Sequence, residues 1–149
     1  MSLEIQIQQD LKAAMLAKDK VALASVRGIK AAILIAKTSE GGHSELTDED
    51  IIKLIQKLVK QRKESAEIYT QQSRPELAKN ELDEIACMEK YLPKQMSEIE
   101  VEATLKNIIA QVGATSPADM GKVMGAATKA LAGQADGRLI STLVKKLLS

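Results

Sequence analysis

The sequence predicts an all-α protein: a four-helix N-terminal domain over residues 1–94, then a compact three-helix domain over 95–149. Three observations carry that prediction. Ala, Leu, Lys, Glu, Gln and Ile dominate, and no stretch alternates polar and apolar with period two for long. Apolar residues recur instead at helical spacing, as in Leu3, Ile7, Leu11 and Ala14. Between the periodic runs stand helix-starting and helix-stopping residues, such as Thr47 before three acids and Ser97 three residues ahead of Glu100.

Taken in order, the first helix is expected over roughly residues 3–18, with Met15 extending its apolar stripe. A break at Lys18-Asp19-Lys20 leads to a second helix over about 20–39, buried on Leu23, Val26, Ile29 or Lys30, and Ile33, with Arg27 and Lys37 at the margin. Gly41-Gly42-His43 is the plainest loop, and its histidine reads as solvated rather than catalytic. The third helix starts at Thr47, continues to about Ser73 and buries Ile51, Ile52, Ile55, Leu58 and Val59. It carries the densest basic cluster, Lys60, Arg62 and Lys63, and Glu64 and Glu67 are placed to pair with Lys60 and Lys63 one turn away. Ser73-Arg74-Pro75 breaks it, and a fourth helix to about Tyr91 turns Ala78, Leu82, Ile85, Met88 and Leu92 inward, with Cys87 as a small core residue. The Thr47–Tyr91 pair thus makes a long helical hairpin. Pro93 marks the domain boundary. A fifth helix over about 97–112 ends at Gly113, Ser116-Pro117 opens a sixth, and Asp136 caps a seventh that buries Leu139, Ile140, Leu143, Val144 and Leu147.

The stretch from Asp119 to Arg138 is peculiar in composition. Met120, Val123, Met124, Ala127 and Leu131 form an apolar stripe, and Gly121, Gly125, Thr128 and Ala132 form a stripe of small residues beside it. An interior helical glycine costs about 1 kcal/mol against alanine, so two on one stripe call for a reason. Close packing against a neighbouring helix is the expectation. Gly121→Ala and Gly125→Ala are then destabilising or near neutral, since overpacking costs roughly 1–3 kcal/mol. A surface kept open for a phosphate-bearing partner is the alternative. Gly133 is expected at the C′ position that ends this sixth helix.

Composition closes off several chemistries. The chain carries 21 basic and 20 acidic residues, a net charge of +1, with no global field of a nucleic-acid binder. Tyr69 and Tyr91 are its only aromatic residues, too few for base-stacking platforms. One cysteine and one histidine, Cys87 and His43, supply neither a zinc site nor a Cys–His nucleophile. No phosphate-binding loop, dinucleotide turn or nucleophile elbow is present, so the sequence assigns no catalytic residue, metal or cofactor. The absence of an 18-residue apolar run and of a signal-peptide pattern leads to the expectation of a cytoplasmic protein with no membrane partner. Charge is uneven, however. Residues 120–149 hold Lys122, Lys129, Arg138, Lys145 and Lys146 against Asp136 alone, a net of +4.

Five motifs carry a resemblance. Val26-Arg27 with Ile29-Lys30-Ala31-Ala32, Lys60-Gln61-Arg62-Lys63-Glu64-Ser65, Tyr91-Leu92-Pro93-Lys94-Gln95-Met96-Ser97, Asp119-Met120-Gly121-Lys122-Val123-Met124-Gly125, and Gly133 with Ala135-Asp136-Gly137 and Leu139-Ile140 resemble the YqeY family of small bacterial proteins. The C-terminal half is similar to the tail domain of the B subunit of the tRNA-dependent Asp/Glu amidotransferase. That resemblance implies a non-catalytic module near tRNA, associated with a glutamine-dependent carbon–nitrogen ligase but lacking its catalytic machinery. Gln134 stands where the family usually has Lys or Arg, which leaves Lys122, Lys129, Arg138 and Lys145 as the candidate RNA contacts. A protein-interaction module, with Lys60, Arg62 and Lys63 on the long hairpin facing an acidic partner, is the first rival. Sequence-specific DNA reading by the last helix is disfavoured, because only Arg138 near its start offers a donor fork.

Overall fold

The computed structural model describes residues 2–39, 41–42 and 45–149; His43 and Ser44 of the expected loop lie outside them. The described residues form seven α-helices and one short 3-10 turn, with no strand. The helices are α1 (Leu3–Ala17), α2 (Lys20–Thr38), α3 (Asp48–Gln71), α4 (Pro75–Glu89), α5 (Glu98–Val112), α6 (Met120–Ala130) and α7 (Gly137–Leu148). The chain divides into two compact units, Met1–Leu92 and Pro93–Ser149.

Local chemistry starts most of these helices. Ser2 and Asp19 accept from the backbone N–H groups of Ile5 and Ala22, and Ser97 accepts from that of Glu100. Thr47 and Asp50 form a reciprocal capping box, at 3.2 and 3.0 Å. The start of α6 departs from the expectation of one continuous helix. Pro117–Asp119 winds as a 3-10 turn, and the Asp119 carboxylate reaches back to the N–H groups of Thr115 and Ser116. The end of α6 departs too. Gly133 is left-handed (φ 76°), as a stop signal requires, but the α-helix already ends at Ala130 and a turn intervenes.

In the N-terminal unit, α4 folds back along α3, and both meet α2. The core gathers Ile7, Ile29, Ile51, Ile55, Ile85 and Met88, all at 5% exposure or less. It holds almost no aromatic surface, so shape is set by β-branched side chains in fixed rotamers. Ser25 and Gly28, one turn apart on α2, let the helices approach. The Ser25 hydroxyl donates to Val21 O at 2.8 Å and Glu84 O at 3.4 Å. A Cβ at Gly28 would lie 3.2 Å from Arg62 Nη2 and 3.6 Å from Met88 Cε.

Two expectations about α3 and α4 are corrected. Lys63 pairs with Glu89 of α4 at 3.5 Å rather than with Glu67 of α3 as spacing implied, and beside it Arg62 pairs with Glu84 of α4 at 3.8 Å. Pairs one turn apart contribute only a few tenths of a kcal/mol, so a neighbouring helix with its own acids competes readily. Leu82 is 54% exposed instead of inward, because the buried side of α4 centres on Ala78, Ile85 and Met88 and Leu82 sits past its edge. Met15 is likewise exposed.

In the C-terminal unit α5, α6 and α7 close around Val101, Leu105, Val123, Leu131, Leu143 and Val144. Every one of these is 3% exposed or less.

Glu84→Ala should destabilise the chain by about 1–2 kcal/mol, since the mostly buried Arg62 guanidinium loses its counter-charge. Adding Arg62→Met should cost less than the sum of the single changes, because the stranded charge goes with it. Urea unfolding of the two singles and the double measures both.

Candidate functional site

The four cations expected to meet RNA are all exposed, and helix geometry sorts them into two pairs. Lys122 and Lys129 lie seven residues apart on one face of α6, about 10 Å along the axis at 1.5 Å per residue. Arg138 and Lys145 have the same spacing on α7, on the side away from buried Ile140, Leu143, Val144 and Leu148. The start of α6 is fixed by Asp119. Hydrogen bonds from Thr115 and then Ser116 hold its carboxyl below the ordinary value of 3.8, and nearby Lys122 adds to the effect.

The glycine stripe is where expectation and structure part. Gly121, Gly125, Thr128 and Ala132 are all exposed, and a Cβ at Gly121 or Gly125 would meet nothing within 4 Å. The packing reading is therefore corrected. The buried face of α6 is Val123 and Ala127, with Leu131 at its C-cap, and the small residues lie on the far side. Next to the basic pair, α6 thus presents a strip of near-bare backbone to solvent.

The loop between α6 and α7 is anchored from a distance. Gln95 Nε2 donates to Gly133 O at 2.6 Å and to Pro93 O at 2.9 Å, and Met96 N donates to Gln134 O at 3.0 Å. The Pro93–Met96 segment so clasps the turn that delivers Arg138. Sequence reading had both motifs but not their contact, because side chain to carbonyl bonding leaves no periodic trace. Gln134 acts here through its main-chain carbonyl.

The secondary basic cluster has a different fate. Arg62 and Lys63 are engaged by α4 carboxylates, Arg62 is largely buried, and Lys60 is half-buried with an interaction of its own. These side chains tie helices together, and of the three only Lys63 stays well exposed.

Among the described residues no group of three or more His, Cys, Asp or Glu is placed to hold a metal ion. One polar pair stands out: the Tyr91 hydroxyl donates to Asp10 Oδ2 at 2.5 Å, linking the end of α4 to α1. Burial foremost, and then the Asp10 carboxylate, push the Tyr91 pKa well above the ordinary 10.0. Cys87, on α4 below it, is half-buried.

Comparison with known proteins places the chain. The family model described as Yqey-like protein matches residues 4–148. The chain belongs to the YqeY family. Curated relatives include the protein named "Altered inheritance of mitochondria protein 41, mitochondrial" from Lachancea thermotolerans, 30% identical over 113 residues, and its namesake from Kluyveromyces lactis, 32% identical over 114. Each alignment takes in 74% of this chain and 60% of the relative, so this YqeY-family chain spans less than two thirds of their length. Namesakes from Clavispora lusitaniae and Meyerozyma guilliermondii match as well. These names overturn the cytoplasmic expectation, since all four relatives are called mitochondrial. The lack of an 18-residue apolar run does not separate one aqueous compartment from another.

Gly121→Ala and Gly125→Ala should each stabilise the chain, by several tenths to about 1 kcal/mol, because helix propensity improves with nothing to clash against. Thermal melts of each variant measure the shift, and a lowered melting temperature at either site contradicts the open stripe. Tyr91 makes a second expectation. A raised folded-state pKa contributes stability that is complete below the ordinary tyrosine range and lost as pH rises through and above it. Wild type should therefore lose more stability than Tyr91→Phe between neutral and strongly alkaline pH, in paired denaturant titrations.

Proposed function

We propose that this YqeY-family chain is a non-catalytic helical module that binds structured RNA, tRNA first among its classes, through the exposed faces of α6 and α7. The observation that carries the reading is the open strip of Gly121, Gly125 and Thr128 beside Lys122 and Lys129. Side-chain-free backbone lets a phosphate chain come close, and two cations two turns apart can neutralise it without reading sequence. Arg138 and Lys145 repeat the spacing on α7, and residues 120–149 together carry a net charge of +4. The likeness of this half to an amidotransferase tail domain that contacts the body of tRNA points the same way. The rival protein-adaptor reading draws on Lys60, Arg62 and Lys63, and it is the weaker one because Arg62 and Lys63 already pair with carboxylates of α4.

Fluorescence anisotropy of labelled total tRNA, titrated with the full chain over a salt series, tests the proposal. Binding should weaken steeply with salt. Lys122→Gln, Lys129→Gln, Arg138→Gln and Lys145→Gln should each weaken all tRNAs alike and lower the salt slope by about one unit. No anisotropy change even at low salt would end the proposal.

A further inference from the structure

The outward face of the α1–α2 hairpin belongs to none of the features above, and its composition is distinctive. Core-facing Ile7 and Ala14 on α1 and Ile29 and Ile33 on α2 fix which sides point away. Helical spacing of 100° per residue then puts Ile5, Lys12 and Leu16 on the outer side of α1, and Arg27, Lys30 and Leu34 on that of α2. All six are exposed, Leu16 at 87% and Leu34 at 63%. The two outer sides adjoin, because Glu4 pairs with Lys37 across the seam at 2.5 Å and Lys18-Asp19 joins the helices at the other end.

The charge of this face is unopposed. The hairpin holds three acids, each committed elsewhere: Glu4 pairs with Lys37, Asp10 accepts from Tyr91, and Asp19 caps α2 by accepting from Ala22 N. The remaining cations of the hairpin, Lys20 among them, are exposed and form no ion pair among the described residues.

The order of residues along the face identifies the partner. Lys12, Arg27 and Lys30 occupy the middle, while Leu16 projects near the turn end and Ile5 and Leu34 near the other. A protein interface has the reverse order, an apolar centre within a polar rim. A nucleic acid gains nothing from leucines that face its phosphates, and a second copy of the chain would set cations against cations. A phospholipid headgroup layer accepts both groups at once: phosphates meet the cations and the apolar side chains reach the acyl boundary. We propose that the α1–α2 face, through Lys12, Arg27 and Lys30 between Leu16 and Leu34, docks this protein on an anionic phospholipid bilayer. It lies on the surface and does not cross it. Among the described residues no helix is long and apolar enough to span a membrane, a fact that bears on crossing and not on peripheral contact.

Co-sedimentation of the full chain with sucrose-loaded vesicles tests this, using phosphatidylcholine alone and phosphatidylcholine containing one part phosphatidylglycerol in three. The chain should sediment with the anionic vesicles at low salt and stay in solution with the neutral ones. Arg27→Gln and Lys30→Gln should each lower the partition about five-fold, the effect of one cation near an anionic surface. Leu16→Ser combined with Leu34→Ser should lower it by at least as much, with an unchanged circular dichroism spectrum, since both side chains are exposed. Lys122→Gln and Lys129→Gln should leave it unchanged, which keeps this test apart from the RNA reading. The proposal is overturned by an absence of anionic-vesicle binding at low salt, by binding that ignores the leucine changes, or by saturable capture of an acidic amphipathic peptide on this face with no vesicle binding.

Discussion

Arg62 carries a full charge into the junction of α2, α3 and α4, and the N-terminal unit is arranged around keeping it there. Its partner Glu84 lies 3.8 Å away, close enough for Coulombic attraction yet too far for a hydrogen bond, and the Arg62 Nε makes none. A half-buried ion pair of this kind adds little net stability, because desolvation offsets much of the attraction. Its contribution is to alignment. Only one rotation of α4 against α3 brings Glu84 opposite Arg62, and the bare backbone of Gly28 lets α2 lie over the guanidinium, where a Cβ would stand 3.2 Å from Nη2. The Ser25 hydroxyl, reaching the Glu84 carbonyl, registers α2 against the same point.

That junction also explains how far the sequence could be read. Apolar spacing located the helices, and caps such as Thr47–Asp50 and Ser97 placed their starts, because both signals are local and repeat within one turn. Choice of partner is not local. Spacing offered Lys63 a mate one turn away on its own helix, and the fold gave it Glu89 instead. Glycine showed the same limit in sharper form. The pair at Gly121 and Gly125 reads as a packing device and is open, whereas Gly28, unremarkable in sequence, is the crowded one among the helical glycines. What a missing Cβ makes room for depends on the helix opposite, and composition carries no record of that.

For the candidate site, the legible part was charge. The cationic bias of residues 120–149 and the seven-residue spacings of Lys122 with Lys129 and Arg138 with Lys145 can be read directly from the chain. The clasp that steadies the intervening loop could not be read, since Gln95 and Gly133 are far apart in sequence and meet through a carbonyl. The cytoplasmic expectation failed for a different reason: it was argued from absent segments rather than from any group with chemistry of its own.

The clasp at Gln95 divides the α6–α7 loop into residues that are held by identity and residues that are not. Gly133 is held by identity through its left-handed backbone, while the Gln95 amide fixes the place of its carbonyl. Gln134 engages through its main chain, its N–H donating to Leu131 O and its carbonyl accepting from Met96 N, which any residue but proline supplies. A position whose shape is guaranteed by its neighbours can drift freely in side chain. The charge carried at 134 is therefore independent of the path of the loop, and the electrostatics of this surface can be changed there without any redesign of the fold beneath it.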